Sequence, residues 1–303
     1  MARHLLSIAV ALVLVITTVS AYLRLSQYGL GCADWPACYG RSPVGDIVLS
    51  ESSPMYWIRV IHRVTATIAG LIFVALALFW WSQWRRGREQ ILSLAPLVLA
   101  GFLAWLGRYT PSELPAVTLG NLLGGMALLG VLWWLRAAAG ARPAHGSGRS
   151  LLTGAATIAL LLLFLQIALG GMTSARLAAA ACTGFPLCGA GGATLSAVAF
   201  NPFAAIPLEP SSEAIRQGLH MTHRLSGLLL AALLIGVGVA AVRTGGQQMA
   251  AGRWLLGLVA AQLIVGPAMV LAGFSLAIAV VHNLIAGLLV IVLVGLLAAA
   301  RFE

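Results

Sequence analysis

The sequence predicts an all-α membrane protein of eight transmembrane helices, arranged as two parallel-repeat four-helix bundles. Three observations lead there. The chain is 60% hydrophobic and 9% charged, with a mean hydropathy of +0.97, which is more apolar surface than a soluble core absorbs. Apolar runs of about 20 residues, the length that crosses a hydrocarbon layer, recur along it. The chain also repeats a pattern: Cys32 and Cys38 precede His62-Arg63, and Cys182 and Cys188 precede His223-Arg224.

The expected spans lie near 4–24, 55–82, 91–107, 115–136, 151–175, 214–242, 253–273 and 275–300. The third is short and contains Gly101 and Trp105, so its ends are the least defined. Arg3, Arg85, Arg86, Arg88, Arg142, Arg149, Arg243, Arg253 and Arg301 fall in alternate connections or at the termini. The positive-inside rule therefore puts both termini in the cytoplasm of a multi-pass protein of the inner (cytoplasmic) membrane. Asp34, Asp46, Glu51, Glu113, Glu209 and Glu213 fall on the opposite side. Arg3 with Val19-Ser20-Ala21 resembles a cleavable signal, but span one corresponds to span five, which cannot be one, so it is read as a retained helix. Polar residues 137–150 form a cytoplasmic linker between an N-terminal bundle, 1–136, and a C-terminal bundle, 151–303. Four spans return the chain to its starting side, so the halves are parallel repeats.

All 18 basic residues are Arg, giving a net charge of +10. No basic stretch is interleaved with polar or aromatic residues, so nucleic acid is excluded as a partner and lipid is the expected surroundings. The long external loops, 25–54 and 176–213, each hold one cysteine pair. Oxidising surroundings and the turn-favouring Trp35-Pro36 and Phe185-Pro186 predict disulfides Cys32–Cys38 and Cys182–Cys188. Two cysteines without a nearby histidine are too few for structural zinc. The sequence leaves open whether these disulfides exchange electrons.

His4 and His145 sit in polar flanks. His62 and His223 begin spans two and six, and His282 lies in span eight. The interval from His62 to His223, added to Asn121, arrives at His282. The second half thus has two histidines in repeat-related helices where the first has one histidine and an asparagine. Neutral imidazoles on two facing helices are the ligand set of a six-coordinate haem, and polar groups at such depth are functional candidates by default. His223 and His282 are accordingly the candidate haem-iron ligands. Arg63 and Arg224 suit either haem propionates or simple snorkelling to the interface.

With these residues the chain resembles the haem A synthase family. The matching text runs from Arg24-Leu-Ser-Gln-Tyr-Gly-Leu-Gly-Cys-Ala-Asp-Trp-Pro-Ala-Cys-Tyr-Gly40 through His62-Arg63, Gln166-Ile-Ala-Leu-Gly-Gly171 and His223-Arg224 to His282. The resemblance covers the whole chain. It implies paired four-helix bundles and oxidation of a haem O methyl group to formyl by successive hydroxylations, for cytochrome oxidase biogenesis. It also implies haem b on His223 and His282, and the substrate haem O, with His62 as an iron ligand, in the N-terminal half. Two departures stand out. Arg59 replaces the acidic residue of the family's Glu-x-x-His-Arg pattern, and Asn121 replaces a histidine. Arg59 cannot act as a base, and an Asn side chain is a poor iron ligand. His220, one turn from His223, is the residue repeat-related to Arg59 and a candidate acid, base or alternate ligand.

The leading expectation is a haem A synthase-like oxidoreductase with His62 and His220 as catalytic candidates. The alternative is a non-catalytic haem b-binding membrane protein in oxidase assembly or electron transfer. A transporter would require broken helices or charged midplane residues that are not evident. A haem O synthase and a terminal oxidase are the partners the resemblance implies, and a homo-oligomer is compatible with it.

Overall fold

The computed structural model describes residues 2–27, 54–82, 88–107, 109, 114–139, 141, 151–188, 192–204 and 212–302. Among these the regular structure is helical: α1 (Ala2–Gln27), α2 (Pro54–Ser82), α3 (Arg88–Gly107), α4 (Pro115–Ala138), α5 (Leu151–Ala175), α6 (Ala197–Phe200), α7 (Glu213–Thr244), α8 (Gly246–Leu271) and α9 (Leu276–Ala299). Seven of them, all but α3 and α6, are long and apolar enough to cross a membrane. The apolar part of α3, Ile91–Gly107, is shorter, and Pro96 lies inside the helix. The four-residue α6 is an addition to the expected elements. Cys32 and Cys38 lie outside the described residues, as do positions 140 and 142–150 of the expected linker.

Helix boundaries follow local chemistry. Pro115 opens α4, where a missing N–H costs nothing. Gly245, at a φ of 81°, separates α7 from α8, a left-handed conformation that glycine adopts without penalty. At the end of α5, Leu177 has a φ of 57° and the Ala178 N–H donates to the Thr173 carbonyl at 2.9 Å. That terminating turn leaves the Ala178 carbonyl free for a side chain on α7.

Helices pack in two groups. In the first, α1 contacts α2 and α4, and α3 contacts α2 and α4; in the second, α7 contacts α5 and α8, and α9 contacts α5 and α8. The groups join where α9 meets α1 and α4, and where α4 meets α5. One continuous core results, with Leu6 of α1, Leu129 of α4 and Leu293 of α9 fully buried in it. Without a hydrophobic drive between helices in lipid, close backbone approach stabilises such contacts. A Cβ on Gly252 of α8 would lie 2.7 Å from the Gly238 carbonyl oxygen and 2.9 Å from the Val242 nitrogen of α7.

The outward faces are also apolar: Leu71 is 66% exposed, Leu229 75% and Ile264 69%. A helix that is apolar all round is stable only where its surroundings are apolar too. Gly252→Val puts a side chain against backbone that cannot yield. It is expected to destabilise the α7–α8 pair by about 1–3 kcal/mol, measured as a lower thermal midpoint in detergent, whereas Gly257→Val, at a position with open space, leaves the midpoint unchanged.

Candidate functional site

The second helix group borders a partly open cavity of 380 Å³, lined chiefly by apolar side chains of α5, α7, α8 and α9. Phe185, Pro186 and Leu187 reach it from the loop after α5, and Arg24, Leu25 and Leu122 reach it from α1 and α4. His220 and His223 of α7 and His282 of α9 all line it. His62 and Arg63 on α2 do not. His62 is half-buried and Arg63 exposed, and the Asn121 amide donates to the Val117 carbonyl of its own helix at 3.1 Å.

Each cavity histidine is held by a different neighbour. His220 is 3% exposed, and its Nδ1 lies 3.2 Å from the Ala178 carbonyl. A carbonyl only accepts, so the proton is assigned to Nδ1 and Nε2 presents a lone pair. His223 has Gln166 of α5 beside it, the amide nitrogen 3.0 Å from Nδ1 and donating at 2.8 Å to the His223 main-chain carbonyl. His282 has Gln262 of α8 beside it, the amide nitrogen 3.2 Å from ring Nε2 and 3.3 Å from the main-chain carbonyl. Glycines make room for the rings. A Cβ on Gly170 would lie 3.0 Å from His223 Cε1, and one on Gly266 would lie 3.8 Å from His282 Cε1.

Arg224 has a definite task in the fold. Its Nη1 donates to the carbonyls of Gly184 (2.8 Å) and Pro186 (3.0 Å), and its Nη2 to that of Cys182 (3.0 Å). Cys182 and Cys188 form a disulfide, so one guanidinium gathers the carbonyls of the loop the disulfide closes. That bonding accounts for most of the side chain's donors, and simple snorkelling does not describe it. Several polar atoms about the cavity remain buried with no partner among the described residues: Arg24 Nη1, Arg224 Nε, Gln262 Oε1 and His282 Nδ1. Unpartnered buried groups are costly and call for a ligand or an explanation.

Of the candidate residues read from the sequence, the structure brings His220, His223, His282 and Arg224 together and leaves His62 and Arg63 apart from them. The sequence reading missed Gln262 and Arg24, and it gave Gln166 no role. A signal for the glutamines was present: Gln166 and Gly170 on α5 recur in spacing as Gln262 and Gly266 on α8.

Fold and site together define a multi-pass membrane protein whose second helix group holds three histidines around an apolar cavity. The chain belongs to the COX15-CtaA family, described as cytochrome oxidase assembly protein, whose pattern matches residues 3–294. It is 33% identical to a heme A synthase of Shewanella oneidensis over 96% of this chain and 94% of that one. A heme A synthase of Sphingopyxis alaskensis is 25% identical over 96% of this chain and 89% of its own length. A protoheme IX farnesyltransferase of Natronomonas pharaonis is 30% identical over 47% of this chain and 30% of its own length.

Arg224→Ala removes three charge-assisted hydrogen bonds from the loop, each worth roughly 0.5–1.5 kcal/mol or more. Reduction of Cys182–Cys188 by a water-soluble thiol is expected to speed up by about tenfold or more, followed by alkylation of the released thiols and mass spectrometry.

Proposed function

We propose that this protein is a haem A synthase, a membrane oxidoreductase that converts a methyl group of haem O to formyl for cytochrome oxidase assembly. The observation that carries the reading is the pair His223 and His282, on helices from opposite sides of one apolar cavity, in a chain similar along nearly its whole length to heme A synthases.

The residues present suit a resident haem b. Two imidazoles are available as iron ligands, glycines clear space beside each ring, and the unpartnered Arg24 Nη1 and Arg224 Nε match acidic groups drawn into low dielectric. When bound, haem b supplies one-electron transfer. His223 and His282 would hold it and Arg24 and Arg224 would orient its acid groups, while His220 keeps a proton on Nδ1 with a lone pair at the cavity. Phe185, Pro186 and Leu187 of the Cys182–Cys188 loop add apolar surface to the cavity.

The substrate haem O is assigned to the N-terminal half, with His62 as its single protein ligand and Arg63 near its acid groups. Asn121, bonded to its own helix, would supply no second ligand. The architecture on this reading is eight spans in two parallel-repeat bundles, 1–136 and 151–303, joined by a cytoplasmic linker at 137–150. Both termini are cytoplasmic in the inner membrane, and Cys32–Cys38 forms the second disulfide. A haem O synthase supplies the substrate and a terminal oxidase receives the product; a homo-oligomer is compatible with the lipid-facing apolar surface.

A second reading, a non-catalytic haem b protein of oxidase assembly or electron transfer, is favoured by one observation: Arg59 and Asn121 stand where an acid and a histidine are expected. Haem extraction and chromatography from a host expressing this chain with a haem O synthase separates the two. The synthase reading predicts haem A or its hydroxylated precursor, abolished by His62→Ala. Folded, red protein with only haem B and unconverted haem O would establish the second reading.

A further inference from the structure

Gln166 and Gln262 sit on different helices and serve different histidines, yet each does the same two things. Each amide nitrogen lies within hydrogen-bonding distance of its histidine's main-chain carbonyl and of one ring nitrogen, 3.0 Å at His223 and 3.2 Å at His282. Each has a glycine one turn further along its own helix, facing the same ring. At Gln166 the surroundings are more closely fitted. Ser226 donates to Oε1 at 2.6 Å, and Gly227 leaves the slot for the amide, since a Cβ there would lie 2.9 Å from Gln166 Nε2.

We propose that Gln166 and Gln262 are positioning residues that set, by hydrogen bonding, which ring nitrogen of His223 and His282 is offered to a haem iron. This rests on the haem b reading of the same cavity. A ligating ring nitrogen needs its lone pair, so the other ring nitrogen carries the proton and needs an acceptor. A glutamine amide has a donor end and an acceptor end, so either can face the ring. With the NH2 toward Nδ1 of His223, as placed, the ring's proton is held on Nε2. With the carbonyl toward it, the proton is on Nδ1 and Nε2 is free to ligate. Turning the amide gives up its 2.8 Å bond to the His223 main-chain carbonyl, and the Ser226 hydroxyl, 3.3 Å from that carbonyl, can donate there instead while accepting from the turned NH2. At the other histidine, Gln262 Oε1 and His282 Nδ1 are both buried without a partner among the described residues. They are an unmatched acceptor and an unmatched ring nitrogen on one interacting pair.

The test uses the full-length protein purified with its haem, comparing wild type, Gln166→Met, Gln262→Met and Gln166→Glu by redox titration and by haem transfer to apomyoglobin. The Met variants remove the acceptor at nearly constant volume. They are expected to lose haem about tenfold faster and to move the midpoint potential upward. Gln166→Glu supplies a stronger acceptor, makes the imidazole a stronger donor to iron, and is expected to move the potential downward. Opposite signs at one position do not arise from general loosening of the bundle. Gly227→Ala, which keeps the glutamine but crowds its amide, moves the potential in the Met direction and covers the case in which a Met variant fails to accumulate. Red wild-type protein with unmoved potentials and haem loss across the variants overturns this inference alone. Wild-type protein that binds no haem overturns the haem b reading and this inference with it.

Discussion

The constraint on which the rest depends is the cost of leaving a polar group unpaired in hydrocarbon. The backbone meets it by becoming helix, and each buried side chain has to meet it by finding a partner. His220 does so with a carbonyl exposed by the turn that ends α5, His223 and His282 with glutamines of the adjacent helices, and Arg224 with three carbonyls of the disulfide loop. The exceptions are as informative as the pairs. Of the buried atoms without a partner among the described residues, Arg24 Nη1, Arg224 Nε, Gln262 Oε1 and His282 Nδ1 belong to residues lining the same cavity, whereas those of Arg176 and Gln217 do not.

Much of the fold was legible because lipid simplifies the code. Long apolar runs bounded by Arg or by Pro and Gly have one outcome, and α1, α2, α4, α5, α7, α8 and α9 lie within a few residues of the expected spans, apart from the start of α8, which begins at Gly246, well before the expected 253. What was not legible depends on contacts between segments distant in the chain. The four-residue α6 has no periodicity to betray it. The three bonds of Arg224 depend on how a disulfide-closed loop turns its carbonyls, which no spacing rule encodes. Gln262 sits in an unremarkable apolar run and acquires meaning only when α8 is laid beside α9. The histidines were legible for the opposite reason: a polar residue within an apolar span has few explanations.

The halves share a packing pattern and differ in chemistry. Around the second half's cavity, two glutamines, three histidines and several small residues support one another. In the first half, Arg59 and Asn121 occupy the positions where the family resemblance implies an acid and a histidine, and Asn121 spends its amide on its own helix. On the proposed haem reading, one imidazole in the first half would suit a molecule that enters and leaves, and the pair His223 and His282 one that stays. The junction of α9 with α1 and α4, and Arg24 reaching the second half's cavity from α1, tie the two halves into one continuous core.

The central claim, a haem retained between His223 and His282, is tested most directly by low-temperature electron paramagnetic resonance of the oxidised, purified protein. The account predicts a low-spin ferric signal of bis-imidazole type that disappears in both His223→Ala and His282→Ala while the helical circular dichroism is kept. A low-spin signal that survives either substitution, or a wild-type spectrum of purely high-spin iron, would contradict it.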